Sequence, residues 1–447
     1  PMIAKIILPA FGGAASVWIL CLVFFQGVLL AGYWYADITS RRLTARQQVG
    51  LHAGLLAVSL VLLPVLLPAG ISLAQNHNTL DPALSILGVL AVSIGLPFFL
   101  LSATSSLVQN WYARRSGAIA PYRLFAISNL ASFLALLAYP FLVEPRITTS
   151  KQLMGWSGLY GLFVGLCALT RFTAAKSSAP TTEKIACADP PAKSDKLLWL
   201  VLATCGSMML LSVTNHLCQN IAPVPLLWIL PLAVYLLSFV LVFHKHNFYP
   251  RWLVLRLLAV ALGAVGYGIS DITAVEAIQI SIPLFCIALF IGCWFCHGEL
   301  NRLRPEPEFL TSFYLMIAAG GAIGAILVGL IAPHIFRNIY ELPLSLAAVA
   351  ASAMVVTWRE NWQSRALWAV LTVSMLVVLT MVVRGYEKDS LALARNFYGA
   401  LRVTQTAAVG PQQRRTFYHG TIEHGAQFLQ ADKRDQPTTY YGPDSGV

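Results

Sequence analysis

The sequence predicts an all-α polytopic membrane protein, with about twelve transmembrane helices in two halves, followed by a short β-hairpin that starts a C-terminal soluble domain. Three observations carry that prediction. Hydrophobic residues make up 57% of the 447 and charged residues only 11%, about half the charge fraction of a soluble domain. Apolar runs recur almost without a break as far as Gly385, and many reach the roughly 20 helical residues that a hydrocarbon core about 30 Å thick requires. The stretch from Arg395 to Val447 is the only long segment whose composition suits water.

The first half, residues 1–172, holds candidate spans at 15–36, 51–73, 83–108, 124–143 and 153–172. Residues 173–196 follow, rich in Ala, Ser, Thr, Pro and Lys. That composition cannot build a core, so a flexible polar linker is expected there. The second half, 197–384, holds spans at 197–215, 225–243, 253–270, 275–296, 309–333, 340–358 and 366–383. Two blocks joined by a central polar loop suit a major-facilitator-like layout. Pro64, Pro97 and Pro231 interrupt spans and could mark broken helices, although kinks are common in membrane helices.

Charge supports this division. The net charge of +11 would suggest nucleic acid in a soluble protein, but no Lys/Arg stripe with interleaved aromatics is present, and no nucleic-acid partner is expected. Basic residues gather instead in short loops, at Arg41, Arg42 and Arg46, at Arg114, Arg115 and Arg123, and at Lys176, Lys184, Lys193 and Lys196. The loops at 72–81 and 216–224 have none. This alternation puts the basic loops in the cytoplasm, with the bacterial inner membrane as the expected location. It also sets a constraint. If every span crosses, the tail emerges on the face opposite the basic loops. The alternatives are a re-entrant span, at 309–333 or around Asp271, or a tail whose chemistry takes place outside the cytosol.

Several polar or metal-type groups stand out in the apolar block. Gln26, Asn129, Asn215 and His216 are costly in hydrocarbon unless they pair or face a cavity. They read either as a polar path between helices or as interhelical fastenings. Cys293 to His297 (CWFCH) matches a haem-attachment pattern in form only. No metal site is expected there, and His297 and Glu299 read as capping groups at a helix–loop junction. Gly320, Gly324, Ala325 and Gly329 form a small-residue stripe for close helix approach. Cys21, Cys167, Cys205, Cys218 and Cys286 sit in apolar runs as small hydrophobes rather than in a disulfide framework. The carboxylates Glu276 and Glu341 lie near helix ends, where a polycation carrier would need them mid-span.

In the tail, residues 395–404 (RNFYGALRVT) have strand composition, Gly410 to Gln413 read as a turn, and residues 415–422 (RTFYHGTI) as a returning strand. His424 to Gln427 and the segment Pro437 to Val447 follow.

Taken in order, the pieces resemble a known family. Leu8 to Gly13 (LPAFGG), Gly95 to Ser102 (GLPFFLLS), Gln109 to Trp111, Pro121 to Arg123, Thr214 to His216, Pro225 to Trp228 (PLLW) and Cys296 to Leu300 (CHGEL) look like the membrane block of the membrane-fused spermidine synthases. The hairpin looks like the opening of their aminopropyltransferase domain, which here would occupy 385–447 in truncated form. The resemblance implies transfer of an aminopropyl group from decarboxylated S-adenosylmethionine, as co-substrate, to putrescine or a related amine. No tightly bound cofactor is implied. It implies that Gln427, His419, His424, Tyr440 and Tyr441 frame the amine and the sulfonium donor. Such groups suit the chemistry, since a neutral amine attacking beside a sulfonium needs hydrogen-bond acceptors and aromatic faces. The Gly-rich donor loop and the catalytic Asp are expected beyond Val447, so these 447 residues alone are expected to be inactive. The chain departs from the soluble enzymes at His419-Gly420, where they have Asp-Gly. The rival class is a small-molecule transporter, for polyamines or another solute, with the tail as a regulatory module. A bundle that only localises the enzyme is the third reading.

Overall fold

The computed structural model describes residues 1–63, 81–116, 121–176, 189–220, 225–244, 248–270, 278–406, 410, 412–439 and 442. Three helices begin where the sequence supplies oxygen acceptors for their first free N–H groups. Thr44 and Gln47 form a reciprocal capping box, Asp81 accepts from the Ala83 amide at 2.7 Å, and Asn361 accepts from the Ser364 amide at 2.7 Å. In chain order the helices are α1 (Met2–Phe11), α2 (Ala15–Arg42), α3 (Ala45–Ser59), α4 (Pro82–Leu90), α5 (Leu96–Ser116), α6 (Pro121–Ala138) and α7 (Thr149–Lys176). The second half contributes α8 (Lys193–Asn220), α9 (Pro225–His244), α10 (Arg251–Ser270), α11 (Ile278–Arg302), α12 (Leu310–Ile326), α13 (Glu341–Thr357) and α14 (Trp362–Glu387). Among the described residues, ten helical stretches are long and apolar enough to cross a membrane; α1 and the 17-residue α13 are shorter apolar helices.

Proline explains the irregular turns. Wide turns at Ala91–Gly95, Tyr139–Val143 and Leu327–Ile331 each lie beside or contain a proline, Pro97, Pro140 and Pro333 respectively. A proline ring removes one ladder donor and pushes back the preceding turn. Pro231, by contrast, sits inside an unbroken α9, and Pro64 lies outside the described residues. The helices on either side reach into the stretch 173–196. Helix α7 runs to Lys176 and α8 starts at Lys193, because Ala and Lys propagate a helix well beyond its apolar stretch.

The core is organised around α8, whose apolar window is 67% buried against 11% for α14. Helix α8 packs against α12, α11, α13, α9 and α2. The expected small-residue stripe makes the tightest of these contacts possible. A Cβ on Gly320 would lie 2.5 Å from the Leu200 carbonyl oxygen, and one on Gly324 would lie 2.8 Å from both Ser207 Cβ and the Thr204 carbonyl. Helix α14 keeps Val370, Val373, Leu376 and Val377 on its exposed side, as lipid contact would demand.

The bundle has two distinct ends. At one end Thr311 donates to Asp37 (2.7 Å), Trp199 donates to the Leu303 carbonyl (3.0 Å) and Tyr122 donates to the Pro305 carbonyl (2.6 Å). These contacts gather the C-termini of α2 and α11 with the N-termini of α6, α8 and α12, and bring Arg41, Arg42, Lys193, Lys196, Arg302 and Arg304 to that end.

The other end carries a four-stranded antiparallel sheet, β1 (Ser390–Asn396), β2 (Gly399–Gln405), β3 (Arg414–His419) and β4 (Ile422–Phe428), in sequential order. The expected single strand over 395–404 is in fact two strands. Asn396 accepts from the Tyr398 and Gly399 amides at 2.9 and 3.3 Å, and this Asx turn reverses the chain at Phe397-Tyr398. His424 to Gln427, expected to follow the returning strand, belong to β4. The β3–β4 turn uses Gly420 at φ 61°, a backbone region that suits glycine.

Candidate functional site at the junction of bundle and sheet

The C-terminal turn of α8 and the β3–β4 turn meet. Thr421 Oγ1 donates to the Asn220 carbonyl at 3.3 Å. Gly420 lies so near the Gln219 carbonyl that a Cβ there would come within 2.6 Å of it. Arg395 of β1 anchors the other side of the sheet: it pairs with Glu341 at the start of α13 and donates to the Asn338 carbonyl at 2.8 Å. Both members of the ion pair are almost wholly buried, 5% and 2% exposed. Arg402 lies 5.4 and 5.0 Å from the ring centroids of Tyr386 and Tyr418, one cation–π contact to α14 and one within the sheet.

Two cavities flank the end of α8. One, of about 20 Å³, is lined by Ser16, Asn215, Gln219, Arg395 and Asn396 among others, room for roughly one water. The second holds about 350 Å³ and is lined by His216, Asn220, Ser281, Phe285, Tyr386 and Thr421 with apolar neighbours. Asn215 and His216 are thus adjacent in sequence yet line different cavities. Asn220 donates to His216 Nδ1 at 3.0 Å, and the His216 ring lies 4.5 Å from that of Phe285.

The remaining sequence candidates separate. His419 and His424 come together, ring centroids 5.9 Å apart, with Phe417 6.3 Å from His424. A register shift between Phe417 and Tyr418 leaves His424 outside the paired positions, which turns it toward those rings. Gln427 pairs with Arg415, four residues along β3 from His419, or roughly 13 Å at the usual rise. It borders a separate open hollow of about 330 Å³ with Val403, Phe417 and Thr438. Tyr440 and Tyr441 lie outside the described residues, as do Asp271 and Glu276. Burial beside Gly399, and then the nearby His424, lower the affinity of His419 for a proton, against a hydrogen bond with the Tyr398 backbone that favours it.

Gln26 lies against Gly321 of α12, where a Cβ would come 2.9 Å from its Oε1. Asn129 donates to the Phe125 carbonyl one turn back in its own helix, at 2.9 Å. His297 and Glu299 are not capping groups: both are fully buried inside α11. His297 bonds Ser238 at 2.8 Å and stacks on Phe239 at 3.5 Å. Glu299 accepts from Tyr249, Arg251 and Arg302 at 2.9, 2.6 and 2.9 Å. Sequence spacing missed this because α11 extends six residues beyond Cys296, and Arg251 comes from another helix. Among the described residues, no three His, Cys, Asp or Glu side chains converge as metal ligands. The cavity-lining polar residues that sequence reasoning missed are Asn220, Tyr386 and Thr421. Only the expectation of a loop over 216–224 hinted at any of them.

No family model, curated protein or solved structure matches the chain.

Proposed function

We propose that the chain is the membrane block and sheet of a membrane-anchored spermidine synthase-like protein. In its full-length form such a protein transfers an aminopropyl group from decarboxylated S-adenosylmethionine to putrescine or a related amine. One observation carries the reading: a four-stranded antiparallel sheet follows the last helix after only Lys388 and Asp389. It is pinned to the bundle, with His419, His424 and Gln427 on its last two strands. A platform held this rigidly suits a transferase domain that must present an amine to a sulfonium in line. The about 13 Å between Gln427 and His419 gives them different parts of a long amine to hold.

The test is an assay of the full-length protein with decarboxylated S-adenosylmethionine and putrescine, the product read by mass spectrometry. Spermidine is expected, with KM for the amine raised about tenfold by Gln427→Ala, the loss of one hydrogen bond to a charged group. A folded protein that transfers to no diamine refutes the proposal.

The transporter reading gains from the two-block layout, but polyamine cargo does not suit these residues. Among the described residues the buried carboxylates Asp37, Glu299 and Glu341 are all committed to arginines. A polycation would have to break one of those pairs to enter.

A further inference from the structure

We propose that the 350 Å³ cavity at the bundle–sheet junction is a binding site for a small amphiphile with an apolar body and a hydrogen-bond-accepting head. This inference is independent of the transferase reading. The volume lies within the range of small-molecule pockets. Five helices and one strand turn line the space, which is partly open: α8, α10, α11, α13 and α14 with the β3–β4 turn. Leu217, Ile269, Phe285, Leu342 and Val382 supply apolar walls. An empty space with only such walls would stay dry.

The polar groups, His216, Asn220, Ser281, Tyr386 and Thr421, are gathered at the sheet side. Asn220 holds the His216 ring, its amide nitrogen 3.0 Å from Nδ1 and 3.4 Å from Nε2. Tyr386 brings a phenol hydroxyl, and the Arg402 guanidinium over its ring adds positive potential. Among the described lining residues none is a carboxylate. Against these described walls an ammonium head finds no counter-charge, whereas a carbonyl, ester or carboxylate oxygen can accept from the Tyr386 hydroxyl. A lipid acyl chain with its ester and a free carboxylic amphiphile share that chemistry.

The probe is a decanoate that carries a diazirine, photolysed with the full chain in nanodiscs, and the labelled residues are read by peptide mass spectrometry. Labelling is expected on cavity-lining segments around Phe285, Val382 and Tyr386. Decanoate and methyl decanoate should compete at least tenfold better than decylammonium. Ile269→Trp, at a partly buried wall position, should remove the label from that site by filling the cavity. Tyr386→Phe, which keeps the packing, should weaken decanoate competition about tenfold. If Ile269→Trp fails to elute as a folded monodisperse species, the Tyr386→Phe comparison decides. Phospholipid that copurifies with the native chain and is lost from Ile269→Trp assigns the natural ligand to lipid; labelling without retained lipid assigns it to a free amphiphile. Label spread over the exposed face of α14 at Val373 and Val377, or competition by decylammonium as strong as by decanoate, overturns the proposal. So does an unchanged affinity in Tyr386→Phe.

Discussion

Arg395 is a charged residue on a strand, unremarkable in sequence, yet it fastens the sheet to α13 through a nearly buried pair with Glu341. Removing one member leaves the other charge stranded, at a cost of about 3–5 kcal/mol. Arg395→Met should therefore expose the sheet to protease under conditions where the native chain resists. Arg395→Met combined with Glu341→Gln should recover part of that loss. Equal protease resistance in the single variant and the native chain would remove the anchor role. His419 gives a pH prediction. Its folded affinity for protons is lowered by burial and by His424, so the unfolded state binds more protons around and below the usual imidazole range near 6.5. Stability of the sheet is then full above that range and falls as pH drops through it toward the folded value. The protection of β3 amides, referred to the intrinsic exchange rate at each pH, should fall between pH 7 and 5, and His419→Gln should flatten that dependence. The residue types of this site were legible in the sequence. Their grouping was not, because a single register shift decides that His424 meets His419 while Gln427 stands apart.

At the scale of elements, the contact between α12 and α8 depends on glycines that face backbone atoms directly. Close approach adds dispersion contacts where the hydrophobic effect gives helices no reason to associate in lipid. Gly324→Leu is expected to cost about 1–3 kcal/mol or more by overpacking, read as a lower thermal midpoint in detergent. Gly161→Leu in α7, where an added Cβ meets nothing within 4 Å, should change it little. Similar losses in both variants would mean that glycine content rather than close approach matters. The stripe was legible from spacing alone, since a residue every fourth position falls on one face of any helix. The split of the expected first strand was hidden in the reach of one Asn396 side chain.

For the whole molecule, the two ends differ in what they carry. The end with Arg41, Arg42, Lys193, Lys196, Arg302 and Arg304 is opposite the sheet. If the positive-inside rule holds, the sheet faces away from the cytoplasm. A protease-cleavable tag after Gly425 should then be cut in intact spheroplasts, and a tag in the 177–188 segment only after lysis. The reverse pattern would place the sheet in the cytosol, where decarboxylated S-adenosylmethionine is made and the proposed transfer has its donor. The first pattern leaves that reaction without its donor and moves the weight to the transporter class.

By itself the sequence determined that the chain is mostly apolar helix, which loops are basic and that β structure follows the last helix. Each of these is a local sum over a few to about twenty neighbouring residues, so no partner is needed to read it. Only the tertiary structure decided that α8 is the hub, that Glu299 and Glu341 are ion-paired and that Asn215 and His216 line different cavities. Those facts depend on which side chains from distant segments share a space a few ångströms across, and hydropathy and spacing carry no record of that.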